Sequence, residues 1–571
     1  MKLRGLPCES ESPAPSARAA RRLTATRTLR RNLLMGVAVG LGLVSLWRAN
    51  FPATPSPDRP PSSFAEPTRR TALTSAPPNL IDPTEAEIAT LMLVLQQAME
   101  LGETRHREAL LTFKDDEALR RFLPRAQAAG LSVVAQINSL HAVRVRYTAF
   151  EALRDELTRH LTDYTGTTPN PLVSLPAPPA KQKRAAVDQV PFGNDTLAFI
   201  GATGDRSTWG RGTTIAILDT GVAPDATFGY GRIRTLDIGL GSAPGDGNND
   251  GHGTAVAALA AGAASDAPGV APAAVILSIR VTDTTGTSDL FTLAQAIIAA
   301  ADHGAKIINI SLGGATGGAI LDAAITYATN LGTLIVAAAG NDQAAQLAWP
   351  AADPRVISVG AIDRLEQSVL FSNSSPQLQL TAPGYGVQTA WLNGQRVTVD
   401  GTSASAPLVA GAVAALLSAD PRLSPRQAAD LLGRTANDTG SPGADAIFGH
   451  GILNVSTAMH HADFSYVDTA VSSHFYDAPN QQMEFVVQNR SGRAISGLTL
   501  TLTTGATPTQ FNVPNLTAGE IFVARVPVDK PTLATAGQMT FTTILTNPPG
   551  LIDQLPHNNT RSTLLKAPAP P

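Results

Sequence analysis

Three short motifs supply residue types that together can carry out acyl transfer. A run of apolar residues, 215–218, leads into Asp219 and a glycine turn. His252 stands between two glycines at the start of an alanine-rich helical segment, and these glycines leave the imidazole unobstructed. Ser403 precedes another apolar helical segment, whose free N–H groups and positive dipole end would face an oxygen that becomes charged during acyl transfer. The three residue types indicate a serine nucleophile with a base and an orienting carboxylate.

Each motif has another explanation when it is read alone. An Asp-Thr-Gly string after a strand is also typical of aspartic proteases, but those enzymes need two such carboxylates, and no second string follows an apolar strand here. His252 has neither a second histidine at ligand spacing nor a cysteine pair to complete a metal site. Asp246, Asn248 and Asp250 suggest a calcium loop, yet its closing bidentate glutamate is missing. Ser403 would also serve as an ordinary helix cap.

The order of the motifs along the chain removes this ambiguity. Asp, His and Ser follow one another within a single domain, an order that differs from those of chymotrypsin and of the α/β hydrolases. From about 199 to 459 the sequence resembles the subtilases, the subtilisin-like serine proteases of peptidase family S8. The resemblance implies an endopeptidase that cleaves polypeptides through an acyl-enzyme. In this mechanism His252 takes the proton of Ser403 while Asp219 holds the imidazole.

Further segments match the same family. Asn341 follows an apolar strand where subtilases keep the amide of the oxyanion hole, and Gly286 is expected on the strand that pairs with the substrate backbone. The two walls of the primary specificity pocket are expected to be the triplets Ser311, Leu312, Gly313 and Ala338, Ala339, Gly340. These walls are small and uncharged, which predicts apolar or aromatic residues before the scissile bond. A carboxylate near the pocket floor at 341–350, from Asp342 or Asp353, would favour basic residues instead.

The sequence departs from the family pattern in two places. Ala404 stands directly after the nucleophile, where the family usually has Met, and this change leaves the backbone donor unaltered. The segment 264–270 is shorter than the family's calcium-binding loop and has Asp266 as its only carboxylate. One carboxylate cannot build a cage of six to eight oxygens, so no strong metal site and no cofactor are expected. A weaker calcium site elsewhere stays open.

The elements that must position these residues follow from the pattern of residues 191–461, which we assign to the catalytic domain. Continuous apolar, β-branched segments alternate with alanine-rich helical ones, and this alternation indicates a parallel sheet covered by helices on both faces. Catalytic groups in such a fold belong at the carboxyl ends of strands and the amino ends of helices. The expected fold class is α/β, with a subtilisin-like parallel sheet.

Two smaller units flank the catalytic domain. Residues 85–190 contain a small α+β unit that resembles the inhibitory propeptide of subtilases, followed by a cleavable linker with Lys181, Lys183 and Arg184. This resemblance implies a self-processing zymogen whose own propeptide acts as an intramolecular inhibitor. Residues 462–571 contain period-two apolar runs separated by Gly, Pro and Asn, which indicate an all-β sandwich. It resembles the immunoglobulin-like modules of exported enzymes.

The amino-terminal residues 1–48 predict export. Arginines precede an apolar run at 33–47, an order typical of a signal sequence. The run is shorter than the roughly 20 residues of a spanning helix, which favours a cleaved signal over a permanent membrane anchor. The catalytic domain is then secreted, periplasmic, or anchored outside the cytoplasmic membrane. Residues 49–84 are a Pro/Ser-rich linker, and the single cysteine, Cys8, precludes an intrachain disulfide.

The overall charge excludes one class of partner. Lys and Arg total 43 against 46 Asp and Glu, so the chain has no basic footprint for nucleic acid. We expect a monomer with polypeptide substrates. Two other function classes are compatible with parts of the sequence: a surface protein with a catalytically dead subtilase scaffold, and a lipase-like hydrolase. The intact set of Asp219, His252, Ser403 and Asn341 argues against the first, and the missing Gly-x-Ser-x-Gly elbow argues against the second.

Overall fold

The computed structural model describes residues 85–176, 189–241, 244–245, 250–505 and 508–567, with side chains from Ile88 onwards. These residues belong to one unit of the chain, Ile81–Pro571. Several sequence predictions lie outside the described residues: the export segment at 1–48, the linker at 49–84, the basic cluster Lys181, Lys183 and Arg184, and the candidate calcium ligands Asp246 and Asn248.

The first described region is a small α+β unit. Its elements in chain order are α1 (Glu85–Glu100), β1 (Thr104–Phe113), α2 (Asp116–Ala126), β2 (Leu131–Ile137), β3 (Ala142–Tyr147), α3 (Phe150–Arg159) and β4 (Tyr164–Ser174). The four strands pair antiparallel in the order β2-β3-β1-β4. Helix α2 begins where the Asp115 side chain accepts a hydrogen bond from Ala118 N at 2.7 Å, which satisfies one of the free N–H groups of its first turn.

The two faces of this antiparallel sheet pack against different partners. Along β1, Ala109, Leu111 and Phe113 point into a core shared with the three helices, because alternate side chains of a strand face opposite sides. Leu110 points the other way and packs with residues of the catalytic domain, as Val173 of β4 does. The small unit is therefore seated on the catalytic domain through the face that its helices leave uncovered.

The catalytic region alternates strands and helices as its sequence pattern predicts. Its elements in chain order are α4 (Thr196–Phe199), β5 (Thr214–Asp219), β6 (Ile233–Leu236), α5 (His252–Ala261), β7 (Val275–Arg280), β8 (Thr287–Asp289), α6 (Leu290–Asp302), β9 (Ile307–Ile310), α7 (Ala319–Asn330), β10 (Leu334–Ala338), β11 (Ile357–Ile362), β12 (Leu380–Pro383), β13 (Val387–Ala390), β14 (Arg396–Val399), α8 (Thr402–Ala419), α9 (Pro425–Arg434) and α10 (Val455–Met459).

Seven of these strands form one parallel sheet in the order β12-β11-β10-β9-β5-β7-β6. Strands β9, β10 and β11 are buried along their whole length, since an apolar core lies on each face of the sheet. The predicted α/β fold with a parallel sheet is thereby confirmed. Because β10, β9 and β5 are neighbours, their carboxyl ends bring together the segments that follow them.

Helix α8 runs through the middle of the catalytic region. By length and composition it is the one helix in the described part of the chain that could cross a membrane, but 83% of its apolar window is buried inside the protein. Gly411 lets it approach α5 closely, since a Cβ there would lie 2.7 Å from the carbonyl oxygen of Ala260. We therefore interpret α8 as a core helix of the domain.

The carboxyl-terminal region is rich in antiparallel strands. Its elements are β15 (Thr469–Asp477), β16 (Gln482–Asn489), β17 (Thr499–Thr503), β18 (Pro508–Asn512), β19 (Ile521–Pro527), α11 (Lys530–Ala536), β20 (Gln538–Thr546) and β21 (Thr560–Lys566). They form a three-stranded sheet, β15-β16-β19, and a four-stranded sheet, β18-β17-β20-β21. Both sheets contribute to one apolar core that includes Phe485, Leu500 and Phe541.

A buried polar contact joins this β-rich region to the catalytic region. The side chain of Gln488 donates to the carbonyl oxygen of Ala436 at 2.8 Å and accepts from Asp438 N at 3.3 Å. Ser472 Oγ donates to the carbonyl oxygen of Asp438 at 2.5 Å. Burial raises the pKa of the Asp438 carboxyl to about 6. The loop after α9 is thus covered by the carboxyl-terminal region through specific backbone hydrogen bonds.

Candidate active site

Asp219 and His252 form a close pair at the carboxyl end of β5. The carboxylate is fully buried and accepts from the imidazole Nδ1, with distances of 2.8 Å to Oδ1 and 3.0 Å to Oδ2. The backbone N–H of Thr220 also donates to Oδ1 at 2.8 Å. Because Nδ1 is engaged by the carboxylate, the other ring nitrogen, Nε2, is left to exchange a proton with a substrate or a nucleophile.

The carboxylate of Asp219 raises the pKa of His252. Burial disfavours the imidazolium, but the negative charge of Asp219 and its hydrogen bond outweigh that cost, so the pKa of His252 is raised above its ordinary value. The side chain keeps about 20% of its surface exposed, so it remains accessible from the cleft. The pair can therefore accept a proton and stabilise the resulting cation.

The start of helix α5 is fixed by the turn after β5. Thr220 Oγ1 donates to the carbonyl oxygen of Asp250 and accepts from Gly253 N, each at 2.9 Å. Gly253 has no room for a side chain, because a Cβ there would lie 2.4 Å from the carbonyl oxygen of Gly221. The glycine after His252 thus allows the helix to begin directly against the strand end.

Ser403 lies in the first turn of α8 and is bonded to the strand end of β9. Its hydroxyl donates to the carbonyl oxygen of Ser311 at 3.0 Å, and Ser311 Oγ donates to the carbonyl oxygen of Ser403 at 3.1 Å. A bond from Ser403 Oγ to His252 is not among the hydrogen bonds of the described residues. A serine that gives its proton to the imidazole would have to turn away from the Ser311 carbonyl first, and catalytic hydrogen bonds often tighten only with substrate bound.

Two hydrogen-bond donors flank the turn before Ser403. Asn341 Oδ1 accepts from Thr402 N at 3.0 Å and from Thr402 Oγ1 at 2.8 Å, which fixes the amide and directs Nδ2 away from these two bonds. A Cβ built on Gly401 would lie 2.9 Å from Asn341 Nδ2 and 3.7 Å from Ser403 N. One amide donor and one backbone N–H therefore border the same space, as stabilisation of an oxyanion requires.

The expected pocket walls lie next to each other, and the sequence did not identify the residue between them. Gly313 follows β9 and Gly340 follows β10. A Cβ built on Gly313 would lie 3.0 Å from the Cβ of Ala348, and one built on Gly340 would lie 3.2 Å from it. Ala348 falls within the segment 341–350 expected to hold the pocket floor. Asp353 is almost fully buried and bonded to Arg355 at 2.6 and 2.8 Å, so its charge is already paired.

Gly286 lies on the opposite side of the cleft from Gly313. It directly precedes β8, adopts a left-handed φ of 78°, and its carbonyl oxygen accepts from Leu175 N at 3.0 Å. On the other side, Ser174 exchanges two 3.1 Å hydrogen bonds with Gly313. The cleft between these two glycines is thus occupied by the last residue of β4 and the residue that follows it.

The short segment at 264–270 has its carboxylate already paired. Asp266 contacts the guanidinium of Arg396 at 3.0 Å, and the same guanidinium lies 3.1 Å from the Asp225 carboxylate. Within the part of the chain that the structure describes, no group of three or more His, Cys, Asp or Glu side chains is placed to hold a metal ion. Ala404, which follows Ser403, is buried.

A parallel α/β domain with a carboxylate, an imidazole and a serine at the ends of its elements defines a serine hydrolase. Residues 210–451 match the model of the Subtilase family, peptidase S8. The chain is 33% identical to a thermostable alkaline protease of Halalkalibacterium halodurans over an alignment of 275 residues. This alignment covers 47% of this chain and 73% of that protein. It is 32% identical to Subtilisin Savinase of Lederbergia lenta over an alignment of 265 residues, and this alignment covers 45% of this chain and 94% of that protein.

A solved structure supports the same fold. A mutant of the epidermin leader peptide processing serine protease from Staphylococcus aureus aligns with a TM-score of 0.51 and 22% identity, over 62% of this chain and 98% of that one. With the sequence relatives, these matches establish that the chain belongs to the subtilase family. It is a subtilisin-like serine endopeptidase.

The first prediction concerns Thr402, whose hydroxyl anchors Asn341 and also accepts from Gly340 N at 3.2 Å. We expect Thr402→Val to lower kcat about tenfold and to leave KM nearly unchanged, because the loosened amide matters only once the oxyanion forms. Steady-state kinetics on a chromogenic peptide would measure both constants. Thr402→Ser keeps the hydroxyl and is the matched control. An equal loss in both variants, or a rise in KM alone, would contradict this role.

The second prediction concerns metal removal. Because Arg396 already neutralises the carboxylates near 264–270, we expect a chelator to lower the Tm of the protein only slightly. Thermal unfolding with and without chelator, followed by re-addition of excess Ca²⁺, would measure the effect. A calcium-restored drop of more than about 10 °C would contradict the expectation, since a tightly bound ion contributes several kcal/mol to stability by mass action.

Proposed function

We propose that the chain is an exported, self-processing serine endopeptidase that uses Asp219, His252 and Ser403 as its catalytic triad. The observation that carries this proposal is the hydrogen bond of the buried Asp219 carboxylate to His252 Nδ1 at the end of β5. Ser403 is bonded to Ser311, which follows β9, the neighbouring strand of the sheet. This arrangement supplies a base whose orientation is fixed and whose protonated form is stabilised.

The proposed reaction has two halves. Ser403 Oγ attacks the carbonyl carbon of the peptide bond while His252 Nε2 takes the hydroxyl proton, and Asn341 Nδ2 with Ser403 N–H stabilises the oxyanion. The C–N bond then breaks, and the imidazolium returns the proton to the leaving amine. Water, activated by His252, hydrolyses the acyl-enzyme and regenerates the serine. Asp219 keeps the imidazole oriented in both halves.

The zymogen part of the proposal is supported by the strand that lies in the cleft. Residues 172–174 pair antiparallel with β8, and Ser174 also pairs with Gly313. A polypeptide substrate would need these same backbone groups, because an extended peptide binds such a cleft by adding a strand between its edges. The unit at 85–176 therefore blocks the site as an intramolecular inhibitor until it is released.

Charged side chains hold this inhibitory unit in place. The Asp289 carboxylate is buried and contacts Arg105 at 3.1 Å and Arg144 at 3.2 Å. Arg144 also contacts Glu108 at 2.6 Å, and the Asn170 side chain accepts from the backbone N–H of Phe291 at the start of α6. Removing one partner of a buried ion pair strongly destabilises a protein, because the other charge is left buried and unpaired. These contacts therefore hold the unit against the catalytic domain.

Export and the carboxyl-terminal unit rest on the sequence pattern. The arginine-rich start and the apolar run at 33–47 favour secretion or release into the periplasm, with a membrane anchor through 33–47 as the alternative. We propose that the two sheets at 462–567 form an immunoglobulin-like sandwich and that the enzyme acts as a monomer on polypeptides. We assign it no nucleic-acid partner and no cofactor, with a weak calcium site left open.

The third prediction concerns Ser403. We expect Ser403→Ala to abolish both peptide hydrolysis and maturation, because one nucleophile performs both. Expression of the full chain in a host lacking other proteases, followed by immunoblotting, would show only the precursor for the variant. Labelling of the wild-type enzyme with a fluorophosphonate is the matched control, since a dead scaffold would take up no probe. A mature-size band from the variant would instead favour a separate enzyme that reads Lys183 and Arg184.

The fourth prediction concerns the primary pocket. The walls at 311–313 and 338–340 are small and uncharged, so we expect wild-type enzyme to prefer apolar residues on the acyl side of the cut. Ala348→Gly should raise cleavage after Phe and Tyr relative to Ala about tenfold, because it removes the methyl group between the walls. Cleavage of a peptide library, scored by the residue before each cut, measures both. Dominance of Lys or Arg there would contradict the apolar pocket and implicate Asp342.

A further inference from the structure

Helix α5 begins at a residue that cannot cap it. Gly251 is the N-cap residue, and it has no side chain to accept from the free N–H groups of the first turn. One of these groups, Gly253 N, is instead bonded by Thr220 from the turn after β5. His252 is the first residue of the helix, so contacts from outside the helix decide where its imidazole stands.

The two glycines beside His252 are packed by different elements. Gly253 faces the turn after β5, where a Cβ would lie 2.4 Å from the carbonyl oxygen of Gly221. On the other side, a Cβ on Gly251 would lie 2.2 to 2.5 Å from three atoms of the Trp391 indole. Gly251 has an ordinary φ of −76°, so a glycine is required here for space and not for conformation. The indole therefore lies directly against the backbone of Gly251.

Trp391 belongs to a hairpin that continues to Ser403. It follows β13, and its N–H donates to the carbonyl oxygen of Gln395 at 2.9 Å in the turn before β14. Strands β13 and β14 pair antiparallel, and residues 400–402 alone separate β14 from Ser403. One end of the hairpin thus contacts the residue before His252, and the other end leads into the serine.

The hairpin is itself firmly attached to the catalytic domain. Thr389 Oγ1 of β13 is buried and donates to the carbonyl oxygen of Ala255 in α5 at 2.9 Å. Arg396 of β14 contacts the buried carboxylate of Asp225 at 3.1 Å. A side chain is positioned precisely when the element that carries it is locked by packing and hydrogen bonds. The hairpin is therefore a rigid support for the indole.

The position of the first turn of α5 matters for proton transfer. Asp219 fixes the orientation of the imidazole through Nδ1, but the backbone of α5 carries the ring. Ser403 Oγ is bonded to the carbonyl oxygen of Ser311, so the imidazole must stand at a defined place to receive its proton. A displacement of about 1 Å between reacting groups can cost about 100-fold in rate.

We propose that Trp391 is a positioning residue that holds the first turn of α5 and so sets the place of His252 relative to Ser403. This inference rests on the proposed triad. The indole acts through the backbone of Gly251 and not on the reacting groups themselves. Its loss opens a space beside Gly251 into which the turn can shift. Such a shift slows proton transfer and leaves the strand edges that would bind a substrate unchanged.

The test measures kcat and KM of the matured full chain on a chromogenic peptide, with active sites counted by fluorophosphonate titration. We expect Trp391→Leu to lower kcat about tenfold with KM nearly unchanged, because leucine is apolar but lacks the ring that reaches Gly251. Trp391→Phe keeps a ring and should retain most of kcat. Trp209→Leu is the matched control, since Trp209 packs on the same apolar core but precedes the amino end of β5. It should lower the Tm and keep kcat.

A double variant isolates the contact between the two residues. Gly251→Ala alone pushes a methyl group into the indole, so we expect it also to lower kcat about tenfold. When Trp391 is already leucine, the same methyl group has room. The double variant should therefore be no slower than Trp391→Leu alone, because changes at residues in contact do not add.

The outcomes separate the positioning role from the triad. Full kcat in Trp391→Leu, an equal loss in Trp209→Leu, or a rise in KM alone would overturn the role of Trp391. Losses that multiply in the double variant would overturn the contact as its cause. If wild-type enzyme takes up no fluorophosphonate, or if Ser403→Ala cleaves the peptide as fast, the proposed triad itself fails.

Discussion

The hydrogen bond between the buried carboxylate of Asp219 and His252 sets how closely helix α5 packs against strand β5 in the catalytic domain. A fully buried charge is costly unless it is paired, so the imidazole must reach the end of β5. The helix that carries it can come this close only because Gly253 lacks a side chain. A Cβ there would lie 2.4 Å from the carbonyl oxygen of Gly221 and 3.1 Å from the Cβ of Asp219. The distance between α5 and β5 is thus set by the contact between His252 and Asp219.

The same need for close approach extends to α8, the helix that carries Ser403. Helix α8 packs on α5 at Gly411, where a Cβ would lie 2.7 Å from the carbonyl oxygen of Ala260 and 2.8 Å from the Cβ of Val270. Ser403 therefore reaches the cleft on a helix whose distance from His252 is set by small residues. This also explains why α8 is apolar enough to be mistaken for a membrane span: nearly all of its surface is covered by the domain.

The sequence was sufficient to predict a feature where the residue type and the local pattern both point to it. Asp219 after an apolar strand, and a parallel sheet from alternating segments, both follow from local signals. Ala348 could not be found in this way, because an alanine carries no chemical signature and its place depends on contact with Gly313, far away in the chain. The pairing of Asp266 with Arg396 likewise joins residues 130 positions apart. Such contacts arise from the packing of the whole sheet and not from any segment.

The cleft imposes a further constraint, because it is a gap between two strand edges. Unpaired backbone N–H and C=O groups along an edge attract any extended chain, whatever its side chains. The residues at the end of β4 bond to Gly286 and Gly313, the backbone groups that an extended substrate would also need, so backbone pairing alone cannot tell the two apart. The distinction must come from what lies beyond those pairs. One such feature is the contact of Arg144 with the buried carboxylate of Asp289, which a free peptide lacks.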